Sequence, residues 1–167
     1  MTFMHSRPSY PPDSRQLTPH DPGVPPRHML LVDDEPEFLQ ELGPYLRARG
    51  WTVTTSPAPP EALVQLDTHT DIAVVVTDVL IADRDGLELA HRILRERTRP
   101  TAVAVVVVTG HGELRGSNPT SAPMELPILC KPLAMGVFMA TLEAAACRAH
   151  AARMAACGNP RGDSPTS

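Results

Sequence analysis

Residues 72–86, IAVVVTDVLIADRDG, are the stretch that leaves this chain the fewest choices. Residues 72–76 have no polar interruption and are mostly β-branched, so they read as a strand covered on both faces, the signature of a parallel sheet. Asp78 then stands where that strand leaves the core. In open parallel sheets the carboxyl edge is where ligands bind, because loops and helix N-termini converge there. One Asp after one strand is as readily a turn residue or a helix cap.

Three other places repeat the arrangement. Residues 29–32 lead into Asp33, Asp34 and Glu35; residues 103–108 lead into Thr109 and Gly110; residues 128–130 lead into Lys131 and Pro132. If these strands are parallel neighbours, one edge gathers Asp33, Asp34, Asp78, Thr109 and Lys131, residue types that handle a phosphate or a metal ion. Taken singly, Asp33 reads as a helix cap, Thr109 as a strand end and Lys131 as a surface charge. Those separate readings leave the shared edge unexplained.

The ordered set VDDE, TDVLIADRDG, VVVVTGHG and CKP resembles the receiver domain of two-component response regulators, and the resemblance covers residues 28–147. It implies an α/β fold, a doubly wound five-stranded parallel sheet of order 2-1-3-4-5 in the flavodoxin-like class. It also implies that Asp78 accepts a phosphoryl group from a histidine kinase or phosphotransfer protein. Three carboxylates at one edge repel, and a hard divalent ion such as Mg²⁺ relieves them. By the resemblance, Asp34 and Asp78 ligate that ion directly, Asp33 acts through water, and the backbone carbonyl of Leu80 completes the protein's share. Lys131 and the Thr109 hydroxyl would then hold the phosphoryl oxygens. Gly86 would permit the turn into the third helix, and the Lys131-Pro132 bond would be cis.

The chain also departs from the family's pattern. Ala82 stands where the loop after the acceptor usually has proline. Ile128 replaces the aromatic residue that normally swings inward when the threonine moves, so the usual relay is absent or altered. Gly112, Gly116, Pro119, Pro123 and Pro127 punctuate residues 110–127, which predicts a short or irregular fourth helix. Leu80 and His111 occupy the positions that tune hydrolysis in the family, and an apolar Leu80 is expected to slow dephosphorylation.

The rest of the chain fills in around this set. Seven prolines among polar residues mark residues 1–27 as a disordered leader, with a proline-directed docking segment as the alternative. A helix is expected to open near Pro36 and to be stopped by Gly50, and Pro44 inside it predicts a kink near Gly43 or packing tight enough to tolerate the proline. Another is expected from Glu61 to Leu66, after the proline cluster at Pro57, Pro59 and Pro60, with Ala62, Leu63 and Leu66 inward. A third runs from Gly86 to about Arg97, burying Leu87, Ala90 and Leu94, and Pro100 ends it. The last runs from Leu133 to about Cys157, with Val137, Phe138, Leu142 and Ala145 inward and its part beyond Cys147 exceeding what the sheet covers. A second strand is expected over residues 51–55, and residues 102–108 are expected to be central. Residues 148–167 form the helix extension and polar tail.

A net charge of −4 leaves no basic footprint for nucleic acid. Three cysteines, Cys130, Cys147 and Cys157, suit reduced thiols, with Cys130 as a small strand hydrophobe. No apolar run has membrane-spanning length, which favours a cytoplasmic protein. The expectation is a single-domain switch rather than an enzyme, with Mg²⁺ as cofactor, an unidentified effector as its second partner and no output domain. The rival is a receiver-like interaction module that signals without phosphate. A metal-dependent phosphatase would want a second Asp at the position of Leu80.

Overall fold

The computed structural model describes residues 24–81, 84–96, 102–110 and 126–157. β1 (His28–Val32) is buried at every position, and α1 (Pro36–Arg47) opens on Pro36, where a missing N–H forfeits no helical bond. The helix runs on through Pro44, and Leu42, Gly43 and Leu46 around it are buried. Gly50, at φ +83°, takes the left-handed turn that follows. β2 (Thr52–Ser56) starts one residue later than expected. The Trp51 N–H is given to the Leu46 carbonyl at the end of α1 (3.2 Å), so the ladder begins with Thr52. α2 (Pro59–Thr68) contains Pro59 and Pro60 in its first turn instead of following them.

β3 (Val74–Asp78) is buried throughout. A small antiparallel hairpin, β4 (Leu80–Ile81) and β5 (Arg84–Asp85), then leads into α3 (Gly86–Arg95). The Asp85 carboxylate caps α3 by accepting from the N–H groups of Leu87 (2.8 Å) and Glu88 (3.3 Å). β6 (Ala104–Thr109), β7 (Ile128–Cys130) and α4 (Met135–Cys157) complete the described elements.

The five main strands form one parallel sheet of order β2-β1-β3-β6-β7. With the hairpin set aside, this is the expected 2-1-3-4-5 flavodoxin-like order. The apolar strand read as central, β6, is interior but not the middle; β3 holds that place. Strand alternation divides the core. Met29, Leu31, Val74, Val76, Val106 and Val108 face α1 and α4. Leu30, Val32, Val75, Val105 and Val107 face α2 and α3. Layers on both sides explain why β3 and β6 needed no polar alternation.

Side-chain directions correct several expectations. α3 buries Leu89, Ala90 and Ile93, while Leu87 and Leu94 are only partly covered, and in α2 Leu63 is likewise partly covered. On α4, Phe138, Leu142 and Ala145 point inward as expected, but Val137 is 57% exposed. Cys130 is exposed rather than buried, because β7 is the edge strand. α4 also stays packed beyond Cys147: Ala149 is buried and Arg153 reaches back to the sheet. The leader is described only from residue 24, where Arg27 pairs with Glu143 (3.1 Å). Ala82, Pro100, His111, residues 111–125 and the tail from residue 158 lie outside the described residues.

Candidate functional site

The carboxyl edge of the sheet collects its chemistry because β1, β3, β6 and β7 all end there. Asp33 directly follows β1, and its N–H is held by the Ser56 carbonyl at the end of β2 (3.2 Å). Asp78 is the last residue of β3. Both are buried, at 1% and 8% exposure. Lys131, just past β7, extends its ammonium between them, with Nζ 2.8 Å from Asp33 Oδ2 and 2.8 Å from Asp78 Oδ2. Glu35 Oε2 is 3.6 Å away and the Phe38 ring centroid 4.1 Å away. Glu35 and Phe38 were missed as site residues in the sequence, where Phe38 read only as core. Glu35 is the N-cap of α1 and Phe38 lies in its first turn, and no sequence signal joined them to Lys131.

The second oxygen of each aspartate is also engaged. Asp33 Oδ1 accepts the Glu35 N–H (2.9 Å), and Asp78 Oδ1 accepts the Leu80 N–H (3.2 Å). Burial dominates at Asp33 and holds its carboxyl above the ordinary carboxylate value, despite the Lys131 ammonium and the Glu35 N–H. Partial burial works against the Lys131 charge, yet the hydrogen bonds to Asp33 and Asp78 outweigh it and hold the ammonium above the ordinary lysine value. Two buried carboxylates therefore share one ammonium, and the edge keeps surplus negative charge.

Thr109 ends β6 fully buried, and its carbonyl accepts the Lys131 N–H (2.7 Å), which fixes the backbone at the root of the lysine. Asp34 is exposed beside Asp33, and Leu80 is 47% exposed. The Lys131-Pro132 bond is cis. Gly86 acts by closeness rather than by turn geometry: a Cβ there would lie 1.8 Å from the Asp78 carbonyl oxygen, and its N–H donates to the Val79 carbonyl (2.7 Å). The start of α3 is thus pressed onto the end of β3.

Among the described residues, no three Asp, Glu, His or Cys side chains form a metal-holding group. The donor chemistry still fits Mg²⁺, which takes one or two carboxylates and keeps several waters instead of needing an all-protein cage. Surplus negative charge on hard oxygens at Asp33 and Asp78 is what such an ion would relieve.

An open, mostly apolar hollow of about 360 Å³ adjoins Lys131, between Phe38, Leu42 and Tyr45 of α1 and Pro132, Leu133 and Met135 at the start of α4. Among the described residues no helix is long and apolar enough to cross a membrane.

Residues 29–143 match the family model described as "Response regulator receiver domain". The transcriptional regulatory protein GlrR of Escherichia coli (strain K12) is 30% identical over 108 residues, which are 65% of this chain and 23% of GlrR. The acid tolerance regulatory protein ActR of Rhizobium meliloti is 27% identical over 118 residues, 71% of this chain and 59% of ActR. The chain therefore spans less than two thirds of these relatives. A crystal structure of a response regulator receiver domain protein from Clostridium thermocellum superposes with a TM-score of 0.63 at 25% identity, covering 72% of this chain and 94% of that one.

Proposed function

The chain belongs to the response regulator receiver domain family, and from that premise we propose that it accepts a phosphoryl group on Asp78 from a histidine kinase or phosphotransfer protein and thereby switches the binding of an effector. Receiver domains in general are signalling domains that bind Mg²⁺ at an acidic phosphorylation site and interact with such donors. The observation that carries the reading here is the Lys131 ammonium, 2.8 Å from both Asp33 and Asp78 at the end of the sheet.

In this reading Asp78 Oδ2, released by Lys131, attacks the phosphorus of a phosphohistidine. The new O–P bond replaces the N–P bond, whose electron pair returns to the donor's imidazole nitrogen. Lys131 turns from Asp33 and Asp78 toward the transferred oxygens, and the Thr109 hydroxyl donates to one of them. Asp33, Asp34, Asp78 and the Leu80 carbonyl are the groups that would hold Mg²⁺. When bound, that ion supplies neutralisation of the charge on the phosphoryl oxygens. The hollow between α1 and the start of α4 suits the donor, since it opens beside Lys131. The half-exposed Leu80 side chain next to the acceptor favours slow hydrolysis. Catalysis here is positioning for the chain's own modification rather than turnover of a substrate, and a cytoplasmic setting agrees with the donors named.

The rival reading, an interaction module that signals without phosphate, is favoured by one observation. Ile128 is a partly buried member of the core beside α3, with no ring to swing and no hydroxyl to present. Beryllofluoride with Mg²⁺ separates the two. Backbone shifts around Asp78 and Thr109 in the wild type that vanish in Asp78→Asn support acceptance. A wild type that neither responds nor takes up phosphate from any phosphorylated donor favours the module.

A further inference from the structure

Lys131 is the only lysine in the chain, and its ammonium has three N–H groups to place. Two go to Asp33 Oδ2 and Asp78 Oδ2, each at 2.8 Å. Among the described residues no third acceptor lies within hydrogen-bond distance. What else stands near the ammonium is Glu35 Oε2, 3.6 Å away on a side chain that is 67% exposed, and the Phe38 ring, whose centroid is 4.1 Å from Nζ.

An ammonium within about 6 Å of a ring centroid is attracted by the negative face of the ring, most strongly where water is excluded. The Lys131 side chain is only 17% exposed, and Phe38 is half-buried against the core shared by α1 and α4. Phe38 is also the third residue of α1. The amino end of a helix carries partial positive charge, which disfavours a cation beside it. A ring face sets negative charge against the ammonium there, and an aliphatic side chain does not.

We propose that Phe38 is a positioning residue for Lys131: its ring face keeps the ammonium beside the acceptor while the N–H groups change partners. The inference rests on the reading that Asp78 takes a phosphoryl group, in which Lys131 leaves Asp33 and Asp78 for the transferred oxygens. Hydrogen bonds to the carboxylates are directional and are given up in that turn. Attraction to a ring face depends on where the charge sits over the ring and not on where each N–H points, so it persists while the ammonium rotates. Without that hold Lys131 has somewhere else to go, because the open hollow of about 360 Å³ is lined by Lys131 as well as by Phe38. Glu35 is a poor substitute, since water around an exposed carboxylate screens its pull.

The single lysine makes the test direct. In the full chain labelled with lysine carrying carbon-13 at Cε, Lys131 gives one signal, and protons held over a ring face are shielded by it. Position 38 alone is changed to phenylalanines carrying one, two or three fluorines, which drain negative charge from the ring face stepwise with little change of shape. Phe38→Leu removes the ring and Phe38→Tyr keeps it. Before any phosphate donor is added, the wild-type Lys131 Hε signal is expected upfield of its position in urea, and to lose that shift progressively along the fluorine series.

Uptake from phosphoramidate, whose N–P bond resembles that of phosphohistidine, is then followed with Mg²⁺ by phosphate-affinity electrophoresis. It is expected to slow with each fluorine and to fall about fivefold in Phe38→Leu, the scale of one partly desolvated cation–π contact, with Phe38→Tyr within about twofold of wild type. Melting temperatures of the same chains separate a lost hold from a lost fold. Normal uptake with shielding and rate both flat along the fluorine series overturns the role of the ring and leaves Asp78 as acceptor. Phe38→Leu matching the wild-type rate does the same. A wild type that takes up no phosphate overturns the acceptor reading instead, with the shielding series still reporting the hold on Lys131.

Discussion

The two ends of the sheet both bury charge and dispose of it differently. At the amino end, His28 is 7% exposed, with Nδ1 2.7 Å from Asp71 Oδ2 and Nε2 2.9 Å from Thr54 Oγ1. Arg153 from α4 donates to the Ala102 (2.9 Å) and Ile72 (2.6 Å) carbonyls, which ties the helix to the strand entries. Burial acts against the Asp71 charge, but the His28 ring outweighs it and holds the carboxyl below the ordinary value. His28, Asp71 and Arg153 each have a polar partner there. At the carboxyl end Asp33 and Asp78 divide a single ammonium, and Asp33 is held above the ordinary value. The amino end spends its polar groups on stability, whereas the carboxyl end holds unmatched charge for a ligand.

Substitutions at the two ends sharpen that contrast. The largest effect is expected at the crowded carboxyl end, where Gly86→Ala must displace either β3 or α3 and is expected to cost about 3 kcal/mol or more in urea unfolding. Next comes Lys131→Ala, which strands two buried carboxylates and is expected to cost about 3 kcal/mol in metal-free buffer. Mg²⁺ should recover more of the melting temperature in this variant than in the wild type. An Mg²⁺ response no larger than the wild type's would break the picture of unmatched charge.

Arg153→Ala, at the opposite end, is expected to cost about 2 kcal/mol from lost charged hydrogen bonds. Phosphoryl uptake should be unchanged, and a loss of uptake would show that the two ends are coupled. The smallest effect is in the acid limb of stability. Because the folded value of Asp71 lies below its unfolded 3.8, the His28 pair contributes fully above pH 3.8 and is lost as pH falls through the lower folded value. Asp71→Asn should flatten that limb in acid titrations followed by circular dichroism. Asp33 leans the other way, since acid relieves a buried carboxylate whose folded value is raised.

Much of the site could be read in the chain because each residue directly follows or ends an apolar run, and a parallel sheet sends all such positions to one edge. Asp33, Asp78, Thr109 and Lys131 were legible for that reason. Glu35 and Phe38 were not, because their approach to Lys131 depends on how far its side chain reaches across the sheet edge from the end of β7. The amino-end cluster was illegible altogether, since His28, Thr54, Asp71 and Arg153 belong to four separate segments with no shared motif. The α3 and α4 faces were misjudged where apolar residues outnumbered the places in the core. Leu87 and Val137 are as hydrophobic as their buried neighbours, and only the angle of each helix on the sheet separates them.

Strand identity and the edge carrying the chemistry could be read from the sequence, because long apolar runs demand burial and their flanking residues inherit the strand ends, whereas the strand order was implied by the resemblance to receiver domains. Tertiary structure alone decided that one lysine bridges two aspartates, that the Phe38 ring faces its ammonium, and that Gly86 is needed for a close backbone contact. Those outcomes depend on distances between segments far apart in the chain, which local periodicity does not encode.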